Sequence, residues 1–183
     1  NRSDLKGTPL EDGIRAIFDT SQHMSNFVVN YRKMSELEKP KMGEVALRTM
    51  IDDISKAYPQ LAWEVNVSPD LKVSADAGML RQVLINLVKN AIEANAQKLL
   101  IDVLEDCLHD KQVSLYIGND GLPIPAENRQ SLFVPFFTTK RSGSGIGLSL
   151  SRRMVIQQGG MLELADTPRQ GCHVAFVLSL QVL

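Results

Sequence analysis

Cysteine, aromatic side chains, excess charge and long apolar runs are all scarce in this chain, and each shortage closes a class of function. Its 183 residues hold two cysteines, Cys107 and Cys172, in no CxxC or histidine-rich spacing. That argues against a disulfide framework or a zinc site and for reduced thiols in a cytoplasmic protein. A formal net charge of −1 leaves no basic surface for neutralising phosphates, so no nucleic-acid partner is expected. The longest apolar stretch, Val174 to Leu183, is broken by Ser179 and Gln181 and falls short of a bilayer's thickness. No signal-peptide pattern opens the chain, so no membrane contact is expected of this segment, whatever anchors a longer protein. With 44% hydrophobic residues the composition suits one packed domain plus an appendage.

The most informative stretch runs from Asp76 to Gln97, DAGMLRQVLINLVKNAIEANAQ, which has a capping aspartate, no proline and strong helix formers, and so predicts a helix. At roughly 100° per residue, Leu80, Val83, Leu84, Leu87, Ala91 and Ala94 share one arc, with Asn86, Lys89, Asn90, Glu93 and Gln97 on a narrow stripe opposite. Asparagine is a poor helix former because its side chain competes for backbone bonds, so a pair one turn apart needs a reason. A solvated face is one reason; a binding site is the other.

The downstream motifs favour the site. After the helix come Asn119-Asp-Gly-Leu-Pro-Ile-Pro125, then Leu132-Phe-Val-Pro-Phe-Phe-Thr-Thr-Lys140, then Gly143-Ser-Gly-Ile-Gly147, then Gly159-Gly160 and Gly171. In this order and spacing residues 75 to 180 resemble the ATP-binding domain of sensor histidine kinases, the superfamily shared with gyrase-type, mismatch-repair and chaperone ATPases. The resemblance implies an α/β fold, a two-layer sandwich of a mixed β-sheet with helices on one face (the Bergerat fold), with ATP and Mg²⁺ as ligands.

It also assigns residues. Asn90 matches the metal ligand, and one neutral amide oxygen suffices for a hard cation that keeps most of its waters. Asn86 stands where related hydrolytic ATPases carry a water-activating glutamate, and an amide cannot take a proton at neutral pH, which favours transfer over hydrolysis. Catalytic roles are thus expected for Asn86, Asn90 and Lys140. Nucleotide contacts are expected from Asn86, Lys89, Asn90, Asn119, Gly121, Ile124, Phe136, Thr139, Lys140, Gly143, Ser144, Gly145, Ile146, Gly147 and Leu148. Backbone N–H groups at the start of a helix near Leu148 can cradle phosphates, with glycines allowing close approach. Lys140 and Arg141 lie close in sequence to that loop, and Phe133, Phe136 and Phe137 resemble the phenylalanine box that hinges the lid. Glu93 is either a participant or a solvated carboxylate.

The base end departs from the family's Asp-x-Gly-x-Gly, reading Asn119-Asp-Gly121-Leu-Pro123 instead. The carbonyl of Asn119 can accept from the adenine amino group without charge assistance; a register in which Asp120 does so misaligns Gly121 and Ile124. Pro123 leaves Gly121 as the residue there free to adopt positive φ.

Elsewhere the pattern predicts an amphipathic helix over 13 to 38, a break at Glu38 to Gly43, and a helix over 44 to 57. Strands are predicted at Ala62 to Val67, Lys72 to Ala75, Leu99 to Leu104 and Gln112 to Ile117, the last two as a hairpin around His109. A helix from Leu148 to Gln158 and strands at Met161 to Leu164 and Cys172 to Leu180, with His173 in the last, complete the domain. Residues 1–40 then form the second helix of a dimerisation hairpin with its linker, and 41–183 the catalytic ATP-binding domain. His23 alone of the three histidines lies on a helix, yet His23-Met-Ser-Asn-Phe27 matches the family's acceptor motif only at the histidine and Asn26. The acceptor is therefore expected outside this chain. The implied function is a protein histidine kinase of a two-component phosphorelay, homodimeric through its N-terminal helix and partnered by a response regulator receiver domain. A related serine kinase of the anti-sigma type, or a nucleotide-free interaction module, are the alternatives.

Overall fold

A computed structural model describes residues 9–104, 111–140, 143–169 and 171–183. The chain divides into two compact units, one of Asn1–Leu37 with Thr138–Ser144, the other of Glu38–Phe137 with Gly145–Leu183. The first holds helix α1 (Pro9–Ser35), along which Ile14, Ile17, Phe18, Met24 and Val28 are all exposed. The side chain of His23, like His109, Cys107 and Arg141, lies outside the described residues.

The second unit carries the sheet. Its elements are β1 (Gly43–Ala46), α2 (Leu47–Ala57), β2 (Ala62–Asn66), β3 (Lys72–Ala75), α3 (Ala77–Glu93), β4 (Lys98–Leu104), β5 (Gln112–Asn119), α4 (Ala126–Arg129), α5 (Gly147–Gln157), β6 (Met161–Leu164) and β7 (Val174–Val182). Among the described residues the seven strands run in the order β1-β3-β7-β5-β4-β2, with β6 also on β7. β2 pairs with β4 in parallel and the other pairs are antiparallel, which makes the sheet mixed. The expected hairpin is present as β4 and β5, with Ile101 opposite Ile117.

Alternation along the strands sorts side chains to two faces. Val113, Leu115 and Ile117 of β5 join Leu99 and Ile101 of β4 and Phe176, Leu178 and Leu180 of β7 in the main core. There they meet Leu47, Met50, Ile51 and Ile54 of α2 and Leu80, Val83, Leu84, Leu87, Val88 and Ala91 of α3. The opposite face buries a small apolar cluster of Leu100, Tyr116 and Ala175, flanked by Cys172, a free thiol, and Ala165. Arg169 donates its backbone N–H to the Tyr116 hydroxyl at 2.6 Å and its guanidinium to Asp102 at 3.1 Å, tying the β6–β7 connection over that cluster. Burial, the largest influence, raises the Tyr116 phenol above its ordinary range.

α3 carries the chain from β3 on one side of the sheet to β4 on the other, so its ends are anchored. At the start, Asp76 accepts from Met79 N at 3.0 Å as the cap and from Lys41 N at 2.7 Å, while its own N–H goes to Gln158 Oε1 at 2.7 Å. The Met79 and Lys41 amides hold its carboxyl below the usual carboxylate range. At the finish the helix stops at Glu93, four residues before the predicted Gln97, because Asn95 turns left-handed at φ 60. Asn95 N–H bonds Ile92 O at 2.9 Å and Ala96 N–H bonds Ala91 O at 3.0 Å, a Schellman ending that asparagine tolerates. Gln97 is thereby off the helix stripe.

The predicted helix over 44–57 begins instead at Leu47, since Gly43–Ala46 pairs with β3 as an edge strand too short for its alternation to stand out. The last strand runs from Val174 to Val182, leaving Cys172 and His173 in the turn before it.

Asp76→Ala should lower stability at neutral pH by about 1 kcal/mol, the usual loss for an N-cap. Because the folded carboxyl titrates below its ordinary value of 3.8, its contribution is present above that pH and disappears as pH falls through the folded value. Urea unfolding of wild type and variant from pH 7 to pH 2 should show the two curves converging in acid.

Candidate functional site

Asn86, Asn90 and Ala94, the last as the C-cap of α3, succeed each other at one-turn intervals, so Ala94 continues the asparagine line rather than the apolar arc expected of it. Each meets something different. Asn86 Nδ2 donates to Ser151 Oγ of α5 at 3.0 Å, and a Cβ placed on Gly147 would sit 2.6 Å from Asn86 Oδ1. Ala94 accepts the backbone N–H of Leu122 at 2.8 Å, and a Cβ on Gly121 would sit 2.9 Å from the same carbonyl oxygen. The line along α3 therefore runs from the start of α5 to the turn after β5. Asn90 stands between these two anchor points, and its buried Nδ2 has no hydrogen-bond partner among the described residues.

Glycine serves close approach at these two anchors. Neither Gly147 nor Gly121 is left-handed, so the positive φ that Gly121 is free to adopt goes unused; backbone contact with Ala94 is what excludes a side chain there. Gly145 is different, at φ 66, and a Cβ on it would collide with the backbone of Phe136, itself at φ 67. These two residues form a clasp where the chain leaves Phe136 and returns at Gly145.

α5 opens at Gly147 with Ile146 as N-cap and no side chain capping it. Ile146 is buried and its carbonyl accepts from Leu150 N at 2.8 Å and from Ser149 Oγ at 2.9 Å. Leu148 and Ile124 are half-buried against the main core, whereas Lys89 is exposed. Phe133 lies edge-on to Phe176 at 6.3 Å with Arg152 over its ring at 4.6 Å, which makes it a packing residue; Phe136 is 36% exposed. Thr139, Lys140, Gly143 and Ser144 belong to the unit that contains α1. Within it Lys140 N donates to Thr138 Oγ1 at 3.1 Å and Gly143 N to Lys140 O at 3.2 Å.

At the end of β5, Asn119 is buried and its Oδ1 accepts from Gly121 N at 3.0 Å. Asp120 is engaged elsewhere: its Oδ1 takes the Gln97 and Lys98 N–H groups at 2.8 and 2.9 Å, which holds its carboxyl below the ordinary range, the Lys98 bond first. Its task is to secure the connection between α3 and β4. His173 adds to the same turn, with Nδ1 3.0 Å from Gly121 O and its N–H on Asn119 O at 2.8 Å. Ser151 and His173 belong to no motif, and the one sequence signal for Ser151 is its place one turn after Gly147 on the same helix face.

The family described as histidine kinase-, DNA gyrase B-, and HSP90-like ATPase matches residues 75–182, a span that takes in α3, the β5 turn and α5. The chain belongs to that family. Among solved structures, the catalytic domain of histidine kinase ThkA, nucleotide free, superposes with a TM-score of 0.65 at 31% identity, covering 77% of this chain and 95% of that one. ThkA in complex with response regulator protein TrrA gives a TM-score of 0.68 at 27% identity, over 97% of this chain and 53% of that one. Sensor histidine kinase GlrK of Escherichia coli (strain K12) is 29% identical over 188 residues, 94% of this chain and 39% of GlrK. The chain thus spans well under half of that curated relative. It is a histidine kinase catalytic domain, an enzyme module whose family binds ATP. No helix among the described residues is long and apolar enough to cross a membrane.

Gly145→Ala should destabilise the domain by about 1–3 kcal/mol, since it forces an L side chain into left-handed φ and against backbone that cannot step aside. Denaturant unfolding measures it. Gly171→Ala, at φ 74 but with open space around it, should lose less.

Proposed function

We propose that this chain binds Mg·ATP along the α3 line and transfers the γ-phosphate to a histidine outside it, from which a response regulator receiver domain takes the phosphate. The observation that carries this reading is the unpaired amide of Asn90. A buried donor without a partner costs about 1–3 kcal/mol, so a fold that keeps one there is keeping it for a ligand. The amide suits both groups the reading requires. Its nitrogen donates to a phosphate oxygen or bound water, and rotation by 180° turns its oxygen outward for a cation. Magnesium bound there would neutralise charge on the phosphate oxygens.

The other roles follow from position. Asn119 meets the base, with Gly121 and Ile124 beside it. The uncapped start of α5, Gly147 and Leu148 behind Gly145 and Ile146, offers backbone N–H groups and the positive end of a helix dipole to the phosphates. The family resemblance, rather than position, adds Lys89 and Phe136 and assigns Thr139, Lys140, Gly143 and Ser144 to the nucleotide, with Lys140 as the positive charge for the transferring phosphoryl group. Asn86 puts an amide where related hydrolytic ATPases carry the water-activating carboxylate, and its bond to Ser151 commits it to holding α5. Both features support transfer over hydrolysis.

The acceptor is placed elsewhere because the available histidines do not suit the task. His173 is engaged at the β5 turn. His23 lacks the acceptor motif, and residues 1–40 are read as the second helix of a dimerisation hairpin with its linker, residues 41–183 as the catalytic domain. The exposed apolar residues of α1, with Ile17 at 73% and Met24 at 67%, support a homodimer formed through that helix. The ThkA–TrrA complex supports a receiver domain as the partner. One observation favours a second reading, a nucleotide-free interaction module: the altered turn uses the Asn119 oxygen internally.

Asn90→Ala should weaken Mg·ATP binding by about tenfold or more in isothermal titration. Equal affinity in the two proteins would remove Asn90 from the site. With radiolabelled ATP, the chain alone should gain no acid-labile phosphate, and a helical hairpin carrying the acceptor histidine should become labelled when added. Labelling of the chain alone, lost in His23→Ala, would place the acceptor on α1.

A further inference from the structure

The hydrogen bond from Gly121 N–H to Asn119 Oδ1, 3.0 Å long, fixes which way round that amide sits. An N–H can be donated to the oxygen and not to the NH₂ group, so the oxygen faces Gly121 and Nδ2 is the other end. Asn119 is only 6% exposed, and among the described residues Nδ2 makes no hydrogen bond. The neighbouring carboxylate, Asp120, binds the Gln97 and Lys98 amides through Oδ1 and so is held at the α3–β4 connection. The free polar atom that this buried side chain offers a ligand is thus a donor.

The sign of that atom matters for the base. An adenine edge presents an amino donor at C6 and an acceptor at N1, whereas hypoxanthine and guanine present an O6 acceptor and an N1–H donor. A carboxylate in this position offers an acceptor at both ends, which pairs with the adenine amino group and repels O6. The amide fixed as it is here donates to O6 through Nδ2, and its oxygen keeps one lone pair beyond the Gly121 bond for an N–H of either purine. We propose that Asn119 opens the nucleotide site to 6-oxopurines, so that inosine or guanosine triphosphate binds comparably to ATP. This rests on the nucleotide-site reading above, with Asn119 at the base. His173 braces the backbone of the same turn, its N–H on the Asn119 carbonyl at 2.8 Å and its Nδ1 3.0 Å from the Gly121 carbonyl oxygen.

The test is isothermal titration of this chain with ATP, ITP and GTP in the presence of magnesium, repeated with Asn119→Asp. In wild type, ITP or GTP should bind within about tenfold of ATP, and Asn119→Asp should shift the ratio toward ATP by about a hundredfold, the upper end of what one unsatisfied buried polar group costs. ITP binding with GTP excluded still supports the inference, since GTP differs by its 2-amino group and not at O6. Wild type binding ATP while rejecting both 6-oxopurines by about a hundredfold or more overturns it and leaves the nucleotide site standing. Silence of wild type toward all three also overturns it; Asn119→Asp then separates the causes, because ATP binding by the variant retains the site and silence removes the site as well. The wild-type ratio decides the matter alone should the variant fail to fold.

Discussion

The packing of α3 across the sheet is the constraint on which everything else depends. One arc of the helix, from Leu80 to Ala91, is buried in the main core, and burying that much aliphatic surface fixes its rotation about its own axis. Once rotation is fixed, Asn86, Asn90 and Ala94 must point where they do. A turn of the helix about its axis large enough to redirect Asn90 would bring polar groups into the core and expose leucines. The position of a binding group is thus set by apolar contacts in which it takes no part.

The rest of the site is assembled against that fixed line by backbone approach. Gly147 comes up to Asn86 and Gly121 to Ala94, each at a separation that leaves no room for a Cβ. The Gly121 contact transmits position well because the Ala94 carbonyl is backbone with little freedom to give, and the Gly147 contact does so because Ser151 holds the Asn86 amide it meets. Asp76 and Asp120 perform a related service at the two ends of α3, one as its cap and a tie to Lys41, the other as a clamp on the residues leading into β4. Both act on backbone N–H groups, so two carboxylates that carry no chemistry themselves hold the helix that does. Gln158 adds a third tie, linking the end of α5 back to Asp76.

Much of this was legible beforehand, for identifiable reasons. The 3.6-residue period of α3 was strong because its buried face is continuous, and β4 and β5 stood out because their β-branched residues lie between polar breaks. Errors fell at boundaries. β1 is hidden because four residues cannot display a period, and the end of α3 is hidden because an asparagine that ends a helix looks in sequence like one that continues it. The torsional freedom of Gly121 is legible in the sequence, but the steric need for glycine there depends on Ala94 lying across from it. The base end offered Asn119 and Asp120 as alternatives, and their hydrogen bonds give them separate tasks.

What the sequence determined by itself is what depends on neighbours along the chain: helix and strand periods, the cap at Asp76, the glycine run before α5 and the ordered motifs that mark the family. Only the tertiary structure decided the relations between distant residues. That Ser151 holds Asn86 across 65 positions, that the Asn90 amide nitrogen is left unpaired among the described residues, and that the Asn119 oxygen turns inward to Gly121 with its turn braced by His173 are results of two helices and two strands meeting in space. The physical reason is range. Propensity and periodicity act over a turn or two of chain, whereas the satisfaction of a buried polar group is settled by whichever atoms packing brings within hydrogen-bond reach.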